Sequence, residues 1–179
     1  MIIGLVGSMG AGKGACAECL GKKGFIYTSL SDEIREELKL RGLPETRELL
    51  TAVGNELRTK YGTGILAQRV LNKMEPGIHY IVDSIRNPEE VNTLRTRPDF
   101  VLIRIEAPIE IRFERIRNRD RSGDVQTFQQ FLAQEKAEEE STDLNKQQMH
   151  ATESMAEYQV INDSTLEIFH QRIDSLLNQ

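Results

Sequence analysis

Three glycines and a lysine follow the first apolar segment of the chain, in the order Gly7, Gly10, Gly12 and Lys13. Glycine permits backbone conformations that residues with a Cβ resist, so successive N–H groups can converge on one phosphate group. A helix that begins near Lys13 would add its unpaired N–H groups and the positive end of its dipole, and the lysine would add a mobile positive charge. The spacing predicts a loop that binds nucleotide phosphates through the following residues: Gly7, Ser8, Met9, Gly10, Ala11, Gly12, Lys13, Gly14 and Ala15.

The loop departs from the usual motif immediately after its lysine. A Ser or Thr is expected there, because its hydroxyl helps to hold Mg²⁺ beside the phosphates. This chain has Gly14 and then Ala15 at these positions. We expect nucleotide binding to survive the loss of this hydroxyl and phosphoryl transfer to be weaker.

A carboxylate and an arginine follow a later apolar segment, residues 80–82. Asp83 closes that segment, and a carboxylate at the end of a buried strand can hold Mg²⁺ directly or through water, opposite the phosphate loop. Arg86 lies three residues further along the same loop. The alternative is that Asp83 caps a helix that begins at residue 88 and that Arg86 pairs with a surface acid.

Other arginines are spaced so that they could reach a phosphate. Arg115 and Arg119 are one helical turn apart on one face, with Arg112 nearby, and planar guanidinium groups can spread charge over transferring phosphoryl oxygens. Arg35 lies in the first turn of a predicted helix that should line the same cleft. The alternative in each case is a solvated helix face, offset in the later helix by nearby acids.

These residues need an α/β framework to bring them together, and the chain predicts one. Apolar strands alternate with helices, which is typical of a doubly wound parallel sheet that binds ligands at the carboxyl ends of its strands. The predicted strands are residues 2–6, 25–28, 79–83, 100–106 and 158–161. The predicted helices are residues 13–23, 31–41 (capped by Ser31 or Asp32), 45–61, 65–74, 88–97, 109–120, 126–150 and 165–177.

Two cysteines, Cys16 and Cys19, lie inside the first predicted helix. A structural zinc site would need a second pair of ligands, and the sequence has no further Cys or suitably spaced His. The helix N-terminus that a redox motif would use is taken by the phosphate loop. We therefore interpret both residues as buried or half-buried thiols.

The composition is that of one soluble domain of 179 residues. A hydrophobic fraction of 39% and a mean hydropathy of −0.44 fit neither a disordered chain nor a membrane protein, and the short N-terminal apolar run is not a signal peptide. A net charge of −5 and the absence of Trp argue against binding nucleic acid through a basic surface. We expect a cytoplasmic protein, and the sequence indicates no particular protein partner.

Five motifs, taken in order, resemble the nucleoside monophosphate kinase superfamily of P-loop kinases. They are the phosphate loop, Ser31-Asp-Glu-Ile-Arg35, Val82-Asp-Ser-Ile-Arg86, Arg115-Ile-Arg-Asn-Arg119 and Tyr158-Gln-Val-Ile-Asn162-Asp. The string Gly-Ala-Gly-Lys-Gly is similar to adenylate kinases. The string Asp-Ser-Ile-Arg-Asn-Pro-Glu-Glu-Val and the short lid are similar to dephospho-CoA kinases and to the adenylate-kinase-related nucleotide kinases of archaea.

The resemblance implies a three-layer P-loop fold with a five-stranded parallel sheet in a single domain. Its core would be residues 1–30, 76–118 and 151–179, its acceptor-binding lobe residues 31–75, and its lid residues 119–150. It also implies ATP and Mg²⁺ as cofactors and a small phosphorylated acceptor. The resemblance implies that Lys13 and its loop bind the ATP phosphates and that Asp83 organises Mg²⁺. It implies that Arg35 and Arg86 bind the phosphate of the acceptor. It also implies that Arg115 and Arg119 stabilise the transferring phosphoryl group and that Asn162 lies beside the adenine.

Some family features are missing. Adenylate kinases carry a second arginine pair in the far half of the lid, whereas this chain has no Arg between Arg121 and Arg172, so adenylate kinase proper is disfavoured. Three functions stay open: an ATP-dependent kinase for a nucleotide-like acceptor, a dephospho-CoA kinase in which Asp32 or Asp83 orients a ribose hydroxyl, and a nucleotide-binding sensor with little turnover.

Overall fold

A five-stranded, all-parallel sheet forms the centre of the molecule, as the sequence predicts. The computed structural model describes residues 1–119, 127–139 and 148–178. The strands lie in the order β2-β3-β1-β4-β5. Their bounds are β1 Ile2–Val6, β2 Ile26–Ser29, β3 Tyr80–Asp83, β4 Phe100–Glu106 and β5 Tyr158–Ile161. Because β1 is central and pairs with both β3 and β4, the loops that follow these three strands meet at one edge of the sheet.

Helices cover both faces of the sheet and match most of the predicted segments. Their bounds are α1 Lys13–Gly21, α2 Leu30–Leu40, α3 Arg47–Tyr61, α4 Ile65–Lys73, α5 Pro88–Leu94, α6 Ile109–Arg119, α7 Phe128–Glu139, α8 Met149–Glu153 and α9 Leu166–Leu177. The single helix predicted over residues 126–150 is wrong, because Phe128–Glu139 and Met149–Glu153 are separate helices. The rest of that prediction, residues 126 and 140–147, lies outside the described residues, as does part of the predicted lid.

One predicted helix cap is wrong, and the alternative role of Asp83 as a helix cap is excluded. The N-cap of α2 is Ser29 rather than Ser31 or Asp32, and its hydroxyl accepts a hydrogen bond from the Ser31 N–H at 3.2 Å. The N-cap of α5 is Asn87, which forms a capping box with Glu90, so Asp83 does not cap this helix. The Asp83 carboxylate lies at the sheet edge and is not used in helix capping.

The side chains of β1 point alternately into two apolar cores. Ile2 and Val6 pack with α2, α3, α4 and α5 on one face, and Ile3 and Leu5 pack with α1 and α9 on the other. Cys16 and Cys19 belong to the second core. Burial raises the pKa of the Cys16 thiol to about 12, so this residue is an inert core thiol, in agreement with the interpretation from sequence.

A third, smaller core attaches α7 to α6. The Phe131 side chain is completely buried, and its ring lies 5.8 Å from the ring of Phe113. Ile116 completes the buried part of this core, and Met9 of the phosphate loop packs against it. The position of α7 is thus tied to α6 and to the loop. Across the described residues, no helix is long and apolar enough to cross a membrane.

Candidate active site

The loop between β1 and α1 has the backbone shape that its glycines predict. Gly7, Gly10 and Gly12 have φ values of 138°, 80° and 110°. A Cβ on Gly7 would lie 2.1 Å from the carbonyl oxygen of Ile105, and one on Gly12 would lie 2.1 Å from the amide nitrogen of Asn162. These glycines are needed both for the turn and for the close approach of neighbouring segments.

Lys13 is the first residue of α1, and its ammonium group curls back over the loop. Its Nζ donates to the carbonyl oxygens of Gly7 and Ser8, the latter at 3.3 Å. The N-cap, Gly12, supplies no side-chain hydrogen bond to the first turn of the helix. The N–H groups of that turn and the Lys13 ammonium therefore lie together where a phosphate would bind.

Asn162 supports the phosphate loop from behind. Its Nδ2 donates to the carbonyl oxygen of Ala11 at 2.8 Å, and its own backbone N–H donates to Glu106 at 2.7 Å. The residue is 4% exposed. The family resemblance implies a place for Asn162 beside the adenine. In the structure its side chain contacts the loop backbone, and the adenine contact stays a prediction.

Arg115 connects the same two segments. Its Nη2 donates to the backbone and side-chain oxygens of Asn162 at 3.1 and 3.0 Å, and its Nη1 donates to Gly10 and Ala11 carbonyls at 3.4 and 3.3 Å. All four acceptors are neutral oxygens. Burial lowers the pKa of the Arg115 guanidinium, and within the described residues no carboxylate forms a salt bridge with it. Arg115 thus carries a positive charge at the loop that an anion could neutralise.

Arg112 has a different task from the phosphate clamp considered from sequence. Its Nη1 donates to the carbonyl oxygen of Met9 at 3.2 Å and also to the Glu135 carboxylate, while its Nε donates to Ala107 at 3.2 Å. Its guanidinium lies 5.4 Å from the centre of the Phe131 ring. Arg112 therefore joins α7 to the phosphate loop, a contact across 23 positions that no sequence pattern indicates.

Asp83 lies at the carboxyl end of β3, on the other side of the loop. Its Oδ2 accepts a hydrogen bond from the Tyr27 hydroxyl at 3.1 Å, and its Oδ1 accepts one from the Ser84 N–H at 2.6 Å. Burial and the Asp83 charge raise the pKa of Tyr27 to about 12, so the phenol stays a donor. Sequence reasoning missed Tyr27. The pairing of β2 with β3, which sets Ser29 beside Asp83, brings Tyr27 within reach.

Ser84 has a φ of 62°, a conformation that L-residues other than Asn and Asp seldom adopt. Its hydroxyl hydrogen-bonds with the Ser29 hydroxyl at 2.9 Å. The chain thus keeps a turn that favours glycine and secures it with a side-chain hydrogen bond.

One cavity of about 560 Å³ brings most of the predicted residues together, a size typical of small-molecule sites. It is lined by seven residues of the phosphate loop and by Tyr27, Asp83, Ser84, Ile85, Arg86, Arg115, Arg119 and Met149. Five predicted residues do not line it: Ser8, Ala11, Asp32, Arg35 and Asn162. Arg35 donates to Asp32 at 2.8 Å and to Glu45 at 2.6 Å, so its charge is neutralised by two carboxylates at the surface.

Two further residues missed from sequence, Arg58 and Glu90, form a buried ion pair behind Arg86. Arg58 donates to Glu90 Oε1 through Nη2 at 2.8 Å and through Nε at 3.0 Å. Burial raises the pKa of the Glu90 carboxyl, and Arg58 opposes that rise. The capping-box spacing of Asn87 and Glu90 was a visible signal for Glu90, whereas nothing in the sequence links it to Arg58.

The cavity fits a magnesium ion that is held mainly by its nucleotide. Asp83 is the one carboxylate among the residues that line the cavity. The described residues contain no group of three or more His, Cys, Asp or Glu that could hold a metal alone. Mg²⁺ commonly binds through one carboxylate, substrate phosphates and several waters, so Asp83 would hold it directly or through water.

The fold and the loop together define a P-loop α/β protein: a parallel sheet with a phosphate loop after its central strand and arginines at the same edge. A family model described as "AAA domain" matches residues 3–145. A UPF0200 protein of Pyrococcus horikoshii is 32% identical over 186 residues, which cover 100% of this chain and 97% of the relative. The chain belongs to the UPF0200 family. Another member, a UPF0200/UPF0201 protein of Archaeoglobus fulgidus, is 37% identical over 98% of this chain and 54% of its own length.

Solved structures show the same fold at low sequence identity. TT1252 from Thermus thermophilus has a TM-score of 0.63 at 20% identity and covers 99% of this chain and 96% of its own. A shikimate kinase from Bacteroides thetaiotaomicron has a TM-score of 0.63 at 17% identity, covering 100% and 99%. A gluconokinase from Sinorhizobium meliloti has a TM-score of 0.54 at 11% identity, covering 98% and 90%. The predicted fold class and P-loop kinase resemblance are confirmed.

Proposed function

We propose that this protein transfers a phosphoryl group from ATP to a small, nucleotide-like acceptor. The observation that carries the proposal is the shared cavity: Lys13 and its loop line it together with Asp83, Arg86, Arg115 and Arg119. A protein that only bound a nucleotide would need the loop but not a second set of charged groups across the cavity.

The mechanism is transfer by positioning and charge neutralisation. The loop N–H groups and Lys13 bind the donor phosphates. Arg115 and Arg119 stabilise the charge on the transferring group, which Arg115 can do because its partners within the described residues are neutral oxygens. Asp83 would hold Mg²⁺, which would supply positive charge to the outer phosphates of the donor.

The acceptor would meet the donor on the Arg86 side of the cavity. Arg86 lines the cavity, whereas Arg35 is engaged by Asp32 and Glu45 at the surface. A phosphate on the acceptor would therefore bind mainly through Arg86. Residues 31–75, which form α2, α3 and α4, would hold the rest of the acceptor.

The engagement of Arg35 also supports the second candidate, a dephospho-CoA kinase. An acceptor that reacts through a hydroxyl needs fewer cationic groups at the reacting end. Asp83, with one oxygen bound to Tyr27, could accept a hydrogen bond from that hydroxyl. Asp83 would hold Mg²⁺ in the main proposal and would bind the acceptor hydroxyl in the second. The two candidates also differ in the acceptor that they predict.

A panel assay separates the candidates. ADP release is measured by a coupled assay with each nucleoside monophosphate and with dephospho-CoA, alongside calorimetric ATP binding. Turnover with a monophosphate supports the main proposal, and turnover with dephospho-CoA alone supports the second. Tight ATP binding with no turnover on any acceptor would favour a nucleotide-binding sensor and reject both enzymes.

We expect Gly14→Ser to raise kcat/KM for ATP by about tenfold, because it restores the hydroxyl that P-loops place beside Mg²⁺. A Cβ at Gly14 would meet nothing within 4 Å, so the side chain fits. Gly21→Ser, in the same helix and equally open, is the matched control and should leave kcat/KM unchanged. An equal effect of both changes would show that helix stability, and not the hydroxyl, is responsible.

A further inference from the structure

One carboxylate behind the cavity joins three separate segments of the chain. Glu90 Oε1 binds the Arg58 guanidinium, which belongs to α3. Glu90 Oε2 accepts the backbone N–H groups of Arg86 at 2.8 Å and Asn87 at 3.1 Å. Glu90 itself lies in the first turn of α5. The acceptor lobe is therefore connected directly to the loop that carries Asp83 and Arg86.

Burial distinguishes this ion pair from the others of the lobe. The side chains of Arg58 and Glu90 are 3% and 0% exposed, whereas those of Arg41 and Glu56, also on the lobe, are 31% and 50% exposed. A buried ion pair is weak evidence for stability, because the cost of removing two charges from water offsets their attraction. The pair is therefore not explained by its contribution to folding alone.

The backbone of Arg86 is held from both sides. Its N–H donates to Glu90, and its carbonyl oxygen accepts a hydrogen bond from the Gln148 N–H at 2.7 Å. A residue fixed at both its N–H and its C=O has little freedom to move its Cα. The direction from which the Arg86 side chain enters the cavity is thus set by its neighbours, of which Glu90 is the buried one.

We propose that Arg58 and Glu90 are positioning residues that set the affinity for the acceptor by holding the backbone at Arg86. The proposal rests on the proposed function, since it assigns Arg86 to the acceptor. Neither side chain lines the cavity, so the pair acts through Arg86 and not by touching a substrate. The arrangement also couples two positions: that of α3 depends on the loop that carries Arg86, and that of the loop depends on α3.

The kinetic test compares Glu90→Gln with a control variant that also lowers the free energy of unfolding. Ile173→Ala removes a buried side chain of α9, in the core on the other face of the sheet and outside residues 31–75. We expect Glu90→Gln to raise KM for the best monophosphate of the panel by about tenfold or more, with KM for ATP and kcat changed by less than about twofold. Ile173→Ala should lower the Tm and leave both KM values unchanged.

A second measurement does not depend on turnover. Hydrogen exchange of the Arg86 and Asn87 amides, followed by NMR, should be about tenfold or more faster in Glu90→Gln than in the wild type. The amide of Leu94, at the far end of α5, serves as the internal reference and should stay protected. If Glu90→Gln does not fold, Arg58→Met, which removes the charge and keeps an apolar stem, replaces it and should show the same pattern.

The outcomes separate this proposal from the proposed function. An unchanged acceptor KM or unchanged exchange at Arg86 overturns the positioning role. A fall in kcat, with both KM values unaltered, indicates a structural role only and also overturns it. If the wild type transfers to no acceptor, the proposed function fails, and slow exchange at Arg86 that depends on Glu90 would still show that the pair holds the loop.

Discussion

Lys13→Met is expected to lower kcat/KM by about 10²–10³-fold, the usual cost of removing one preorganised group that stabilises charge in the transition state. The Lys13 ammonium lies over the loop, bound to the Gly7 and Ser8 carbonyls, where a donor phosphate would replace those contacts. Met keeps the length and the apolar stem of the side chain, so the change removes mainly the charge. ADP release and calorimetric ATP binding measure the effect.

The matched control for Lys13→Met is Lys22→Met, just beyond the other end of α1. Lys22 pairs with Glu18 at 2.9 Å, and both side chains are exposed, so the change should alter kcat/KM by less than about twofold. Equal ATP binding by the wild type and Lys13→Met would show that the loop is not part of the nucleotide site. That result would also reject the proposed function.

Arg115→Lys should reduce kcat by about 10³-fold, in the range that arginine groups contribute to phosphoryl transfer. Lys keeps the charge but has no planar fork, so it cannot donate at once to the loop and to Asn162 as Arg115 does. Arg117→Lys, on the same helix and paired with Glu114 at the surface, is the control and should have little effect.

The balance between kcat and ATP affinity shows what Arg115 does. If Arg115 acts on the transferring phosphoryl group, kcat falls far more than the affinity for ATP. If Arg115 only supports the loop, ATP affinity and the Tm fall together with kcat. The second pattern would contradict the role in transfer and leave Arg115 as a structural residue.

Much of this framework could be predicted because the signals are local. Apolar runs such as residues 100–106 predicted strands closely, and the glycine spacing predicted the turn before α1. The parallel direction of the strands follows from alternation, since parallel strands need helical crossovers. Asp83 and Arg86 could be placed at the sheet edge for the same reason.

The connections between segments could not be predicted in this way. Arg58 contacts Glu90 across 32 positions, and Tyr27 contacts Asp83 across 56. For Arg35 the prediction from residue type was an anion-binding role. In the structure, acids close in sequence neutralise its charge instead. Whether an arginine meets a ligand or a carboxylate depends on three-dimensional neighbours that spacing does not reveal.

The contact between Asn162 and Ala11 links residues 151 positions apart. Because synthesis proceeds from the amino terminus, the phosphate loop leaves the ribosome long before its support does. The motif is therefore present early in the nascent chain, but its supported shape requires β5 and the residue that follows it. Nucleotide binding would then require the complete sheet. ATP would therefore stabilise the full-length chain in preference to shorter nascent chains.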